Sequence, residues 1–149
     1  MLTGPNAVSY DFNKIKGNPD FLGVKKVYAW NTIEKTEGVY DFSEIEQDLA
    51  YLQSIGKRLL VQLGAVTYNG CCGPRTPSYM WMDPKYGNNP PYYGAYPRFV
   101  NQGWYPFWWN QNVQNRLTAL YAALGSTFNK EPYGEGGGLD ETSVEVPPG

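Results

Sequence analysis

GVKKVYAW at residues 23–30 and KRLLVQL at residues 57–63 enclose the stretch that decides the fold. The first segment is short, rich in β-favouring residues and bounded by glycine, which predicts a strand. The second is apolar almost throughout, as is typical of a strand buried on both faces of a parallel sheet. A helical pattern at residues 43–54 separates them, so residues 23–63 predict one βαβ unit.

The helix between these strands has clear start and stop signals. Its apolar residues recur at the spacing of one helical face: Ile45, Leu49 and Leu52. Ser43 and Glu46 have the spacing of a capping box, and Gly56 stands where a glycine commonly ends a helix.

A second helix and a further strand follow nearer the C-terminus. Asn110 or Asn112 is a candidate N-cap, and a helical period of apolar residues runs through to Phe128. Residues 134–140 are rich in glycine, so only the alternation of strand and helix, and not β-propensity, predicts a strand there. A first strand at residues 7–10 and a short helix at residues 19–22 are also predicted.

Residues 64–109 form one long, aromatic-rich loop after the second clear strand, the third when the segment at residues 7–10 is counted. They hold 13 of the 24 aromatic residues and only four charged side chains. Disordered segments are depleted in aromatics, so we expect this loop to fold over the ligand side of an α/β sheet. Aromatic rings with amides and hydroxyls suit an uncharged sugar, but the rings are equally suited to a small core or to a subunit interface.

The composition excludes several kinds of chemistry. The chain has no histidine, which rules out a Ser-His-Asp triad and histidine-ligated zinc, so acid–base work falls to carboxylates, Tyr or Lys. The net charge of −2 argues against nucleic acid as a partner. We expect no metal, no organic cofactor and no membrane span, and no signal peptide is visible. The adjacent pair Cys71-Cys72 predicts neither a disulfide framework nor a metal site.

Three carboxylates are candidates for a site. Glu141 comes at the end of the last predicted strand, where aromatic neighbours would raise its pKa and suit it to proton donation. Asp140 precedes it and points to the opposite face of the strand. Glu34 follows the first clear strand, where it could orient a ligand or pair with Lys35 or Lys57.

The segments Trp30-Asn31-Thr32-Ile33-Glu34 and Glu37-Gly38-Val39-Tyr40-Asp41-Phe42-Ser43, with Asp140-Glu141-Thr142 further on, resemble the clan A glycoside hydrolases. These are (β/α)8 barrels, and the resemblance implies that Glu141 is the general acid/base. It also implies a set of sugar-contacting residues: Trp30, Glu34, Gln62, Trp81, Trp104, Trp108, Trp109 and Asp140. The family usually has Asn where this chain has Asp140.

A complete barrel needs about 200–250 residues, so the 149 residues predict a single domain of about four βα units, the N-terminal half of a TIM barrel. The family's nucleophile lies on a seventh strand, which we expect to be absent here. Hydrolysis of O-glycosidic bonds is therefore expected of the whole protein and not of this chain alone. A non-catalytic carbohydrate-binding module and a filament-forming assembly protein remain alternatives. Open sheet edges predict self-association or a missing C-terminal half-barrel, and a polysaccharide ligand would favour an extracellular or periplasmic location.

Overall fold

The computed structural model describes residues 12–67, 73–87 and 106–139. Within these ranges, three strands form one parallel sheet in the order β1-β2-β3. The strands are β1 (Gly23–Ala29), β2 (Arg58–Gly64) and β3 (Gly134–Leu139). The predicted α/β class is confirmed, and strands that follow one another in the chain are neighbours in the sheet.

Helices connect the strands and carry most of the remaining described residues. They are α1 (Trp30–Ile33), α2 (Ser43–Ser54), α3 (Tyr79–Met82) and α4 (Gln111–Phe128), with 3₁₀ turns at Phe12–Ile15 and Pro84–Tyr86. The long helix α2 joins β1 to β2, and α4 precedes β3. The βαβ unit predicted for residues 23–63 is therefore confirmed.

Helix α2 begins at the predicted residue but not by the predicted cap. The Ser43 hydroxyl donates to Asp41 Oδ1 at 2.6 Å, and the Ser43 N–H donates to the same oxygen at 3.1 Å. Phe42 is the N-cap residue and no side chain caps the helix there, so the capping box between Ser43 and Glu46 is wrong. The carboxylate two residues upstream takes the hydroxyl that the capping box would have used.

Two other helix boundaries follow the predicted chemistry. Gly56 has a φ of 68°, and the chain turns there so that the Lys57 N–H donates to the Leu52 carbonyl at 2.8 Å. At the start of α4, Asn110 Oδ1 accepts from the N–H groups of Asn112 at 2.8 Å and Val113 at 3.3 Å. Asn110 is thus the N-cap of α4.

Strand β3 forms in spite of its composition, since four of its six residues are glycine. It pairs in parallel with β2, with a shift of register between Leu59 and Val61. The backbone of β2 supplies the hydrogen-bonding partners, so pairing with a neighbour replaces intrinsic propensity. Because β3 presents few side chains, a cavity of about 410 Å³ remains between it, α2 and α4.

The core lies on the helix-covered face of the sheet. Its central side chains are at most 2% exposed: Tyr28, Leu52, Leu59, Leu63 and Leu120. Each of the four leucines contributes roughly 1.5–3 kcal/mol by burial. On the opposite face, Leu60 and Gln62 are only partly buried. Among the described elements, both long helices therefore pack on one side of the sheet.

Two smaller predictions are wrong. No helix forms at residues 19–22, because the chain turns there and the Asp20 N–H donates to Asn18 Oδ1 at 2.9 Å. Trp30 opens the short helix α1 and does not end the strand. The strand predicted at residues 7–10 lies outside the described residues, as do residues 68–72 and 88–105 of the long loop.

Candidate functional site

The carboxyl ends of β1 and β2 bring two loops together. Residue Ala29 of β1 leads directly into α1, and Asn31 in this helix binds the second loop twice. Its N–H donates to the Arg75 carbonyl and its side-chain amide to the Pro74 carbonyl, both at 2.7 Å. The segments at residues 30–40 and 73–87 are therefore held side by side at this edge of the sheet.

Glu34 lies in the first of these segments and is fully buried, with 0% exposure. Its Oε2 accepts from the indole N–H of Trp30 at 2.8 Å, and its Oε1 accepts from the Gly38 N–H at 2.8 Å. Arg116 of α4 donates to Oε1 as well, forming an ion pair. A buried carboxylate is tolerated only with such partners, and Glu34 has three.

Arg116 connects this carboxylate to the Tyr40 hydroxyl and lies near that of Tyr79. Its Nη2 donates to the Tyr40 hydroxyl at 2.7 Å, and its guanidinium carbon lies 5.8 Å from the centre of the Tyr40 ring. Burial acts to lower the pKa of Arg116, but the neighbouring Tyr79 hydroxyl and the Glu34 carboxylate raise it above its ordinary value. Burial also raises the pKa of Tyr40 and of Tyr79. The guanidinium is therefore permanently charged and both phenols are neutral at physiological pH.

Tyr79 completes the group, which we call the Glu34 cluster: Glu34, Arg116, Tyr40, Tyr79 and Trp30. Its buried hydroxyl lies near Glu34 and Arg116 without a hydrogen bond of good geometry to either. The cluster joins α1, the turn at Gly38, α3 and α4. Because the Glu34 oxygens are buried and engaged, this carboxylate is suited to holding the loops and not to proton transfer or nucleophilic attack.

The pairing suggested for Glu34 in the sequence is wrong. Glu34 pairs with Arg116, and neither Lys35 nor Lys57 is its partner. Lys57 instead donates to the carbonyl oxygens of Asn18 and Phe21, both at 2.6 Å. Lys57 is buried where the chain enters β2, and these two carbonyls satisfy its ammonium there.

The tryptophans expected to contact sugar differ greatly in exposure. Trp30 is fully buried, and Trp81 and Trp108 pack partly buried against the core. The indole N–H of Trp81 donates to the Thr76 hydroxyl at 2.8 Å. Trp109 is 67% exposed.

Of the remaining predicted residues, the structure describes Gln62. Gln62 lies on the sheet face that the helices leave uncovered, and it is partly buried. Trp104, Asp140 and Glu141 lie outside the described residues, as do Cys71 and Cys72.

Arg116, Tyr40 and Tyr79 were not predicted from the sequence as members of a site. A signal for Arg116 exists, because it is the single charged residue among the 18 of α4. It also falls on the helix face that buries Val113 and Leu120, where a charge needs a partner. The sequence does not show that the partner is Glu34, 82 residues away.

No group of three or more His, Cys, Asp or Glu side chains within the described ranges is arranged to hold a metal ion. The helices in those ranges are too short or too polar to cross a membrane. No protein-family model matches the chain, and no curated protein matches it.

Proposed function

We propose that the chain is the N-terminal half of a (β/α)8 glycoside hydrolase-like protein, in which Glu141 serves as the general acid/base. One observation carries the barrel part of the proposal. The parallel strands keep their chain order, β1-β2-β3, and both long helices pack on one face. A barrel keeps its strands in chain order with its helices on the outer face, and the described three-strand sheet has both features.

The acid–base part of the proposal follows from the residues available. Without histidine, the proton donor for a glycosidic oxygen is a carboxylic acid. Glu34 is already committed to Arg116, Trp30 and Gly38. In sequence, Glu141 comes two residues after the end of β3, the strand that pairs with β2. Active sites of barrels lie at the carboxyl ends of strands, which supports Glu141 as the proton donor.

The reaction also needs a second carboxylate. It would lie about 5–5.5 Å from Glu141 in a retaining enzyme, or about 6.5–9.5 Å away in an inverting one. On the resemblance to clan A hydrolases, that residue belongs to a seventh strand, beyond the βα units of these 149 residues. We therefore expect this chain to bind sugar and to release little or none.

Binding and hydrolysis are measured on the same samples. Neutral oligosaccharides are titrated into residues 1–149 while Trp fluorescence is followed, and reducing ends are assayed after long incubation. We expect fluorescence quenching without sugar release, and the same binding in Glu141→Gln as in the control Glu131→Gln. Sugar release that disappears in Glu141→Gln alone would contradict the half-barrel, because both carboxylates would then lie within this chain.

The two alternative functions predict other results. An assembly protein predicts large oligomers by light scattering and no fluorescence response to sugar; β1 and β3, the outer strands of the described sheet, are the edges it would use. A non-catalytic binding module predicts the same quenching as the half-barrel. The transcript beyond the Gly149 codon separates those two, because the hydrolase requires about four more βα units and a second strand-ending Glu, and a stop codon there favours the module.

A further inference from the structure

A cavity of about 410 Å³ lies between α2, α4 and the glycine-rich strand β3. This volume is in the range of pockets that hold small organic molecules. Protein interiors are otherwise close-packed, so a space of this size between a helix layer and a sheet is a candidate binding site. We call it the β3 cavity. It is lined by six apolar side chains: Ile45, Leu49, Leu59, Val61, Leu124 and Phe128.

The cavity exists because β3 carries almost no side chains on this face. Three of the four glycines of β3 line it. Gly137 pairs with Val61, which also lines the cavity, and a Cβ at Gly137 would lie 3.4 Å from Cε1 of Tyr121. A Cβ at Gly138, which pairs with Gln62, would meet nothing within 4 Å. Since neighbours in a strand point to opposite faces, a side chain at position 137 would narrow the cavity and one at position 138 would not.

The cavity opens to solvent where α4 ends and β3 begins. Asn129, the C-cap residue of α4, and Glu135, the second residue of β3, both line the cavity and are both exposed. The lining side chains from α2 and β2 are buried or partly buried. Among the described residues that line the cavity, Glu135 alone is charged, and its carboxylate forms an ion pair with Arg58.

The lining favours a ligand with an apolar body and a neutral polar end. Water in a cavity needs two to four polar partners, so walls of Leu, Ile and Phe favour an organic molecule over water. The carboxyl end of a helix carries partial negative charge, and Glu135 adds a carboxylate at the opening, which disfavours an acidic ligand. An ammonium group would find Glu135 already paired with Arg58. A hydroxyl both donates and accepts, which suits the amide of Asn129.

We propose that the β3 cavity binds a neutral, mainly apolar alcohol, with its apolar body between α2, α4 and β3 and its hydroxyl at the opening beside Asn129. The cavity is lined by Leu59, the second residue of β2, and Gly134, the first of β3, so it lies toward the amino ends of these strands. Active sites of barrels lie at the carboxyl ends. The cavity is therefore separate from the proposed hydrolase site, and the inference does not depend on that function.

The test uses three probes of one chain length that differ in the head group: octan-1-ol, octanoate and octylamine. Each is titrated calorimetrically at pH 7 into residues 1–149, and circular dichroism checks the fold of each variant. We expect octan-1-ol to bind one to one and to raise the thermal midpoint, and the two charged probes to bind at least tenfold more weakly. Gly137→Val should weaken octan-1-ol binding about tenfold, and the control Gly138→Val, on the opposite face of the same strand, should leave it unchanged.

A second variant narrows the cavity from α4 and serves if Gly137→Val does not fold. Gly125 lines the cavity, and a Cβ there would lie 3.4 Å from Nδ2 of Asn129, an ordinary contact. Gly125→Leu should therefore weaken octan-1-ol binding, and the control Ser126→Leu, at an exposed position, should not.

Three results would overturn the inference. The first is that wild type does not bind octan-1-ol, or that Gly137→Val and Gly125→Leu bind it as wild type does. The second is tighter binding of octanoate or octylamine, which would overturn the ligand class. The third is a wild-type dimer that Gly137→Val dissociates without any binding of octan-1-ol, because the cavity would then be a contact between copies.

Discussion

The Glu34 cluster and a second ionic group, the Lys26 cluster, contain similar side chains but differ in how much water reaches them. In the Lys26 cluster, Lys26 of β1 pairs with Asp48 and, at 2.9 Å, with Glu44, both on α2. The Tyr28 hydroxyl donates to Asp48 at 2.7 Å. Glu44 remains 58% exposed, whereas Glu34 has no exposed surface.

This difference decides what happens when a partner is lost. Water can solvate Glu44, and Asp48 keeps the Tyr28 hydroxyl as a donor, so the Lys26 cluster has substitutes for a missing charge. Glu34 would retain the neutral donors Trp30 and Gly38 but have no cation. An uncompensated buried charge is far more costly than an exposed one. The depth of burial, more than the number of hydrogen bonds, therefore determines how much stability each cluster loses when one partner is removed.

The largest effect is expected at Arg116. Arg116→Met leaves the Glu34 charge buried without a cation and should lower the free energy of unfolding by about 3–5 kcal/mol, measured by urea denaturation. The double variant Glu34→Gln/Arg116→Met removes both charges and should recover a large part of that loss. Equal destabilisation in the single and double variants would contradict the ranking, because packing and not charge would then explain the effect.

An intermediate effect is expected at Lys26. Burial acts to lower the pKa of Lys26, but hydrogen bonds and charge from Asp48 and Glu44 raise it above 10.5. Lys26→Met should cost about 1 kcal/mol at neutral pH.

The pH dependence of this loss has a definite sign. Because the folded pKa is raised, the stabilisation is fully present below pH 10.5 and is lost as pH rises through the folded value. Urea titrations of wild type and Lys26→Met from pH 7 to 12 should therefore converge at the alkaline end. A constant gap between the two curves would show that Lys26 acts through its aliphatic stem.

The smallest effect is expected at the exposed pair of Lys85 and Glu37. Both side chains are 43% exposed, and water and salt screen the attraction between them. Glu37→Gln should leave the thermal midpoint unchanged within error. A loss of stability as large as that in Lys26→Met would mean that exposure does not determine how strongly these ion pairs stabilise the fold.

Local chemistry made much of the fold predictable. Gly56 and Asn110 mark helix boundaries through backbone conformation and capping, which depend on a few neighbouring residues. The capping box failed because Asp41, two residues upstream, competes for the Ser43 hydroxyl. Strand β3 could be predicted only from the alternation of elements, because glycine carries no pattern of apolar and polar residues.

The candidate site was harder to predict because its contacts are distant in sequence. Glu34 could be singled out from its place after a strand, but its partner depends on how α4 packs. The resemblance to glycoside hydrolases names Trp30 and Trp109 together, yet burial separates them, with 0% and 67% exposure. Composition predicts that aromatic residues contact a ligand, but it does not show which of them face solvent.

The glycines of β3 make this strand tolerant of changes in length that β2 could not accept. A one-residue slip in β2 would turn Leu59, Val61 and Leu63 to the other face of the sheet, whereas the same slip in β3 would move few side chains before Leu139. The slip in β3 would, however, displace the residues that follow by about 3.3 Å and turn their side chains to the opposite side. An insertion or deletion in this strand would thus leave the core almost intact and shift the position of Glu141, so the proposed acid–base role could be lost without unfolding the protein.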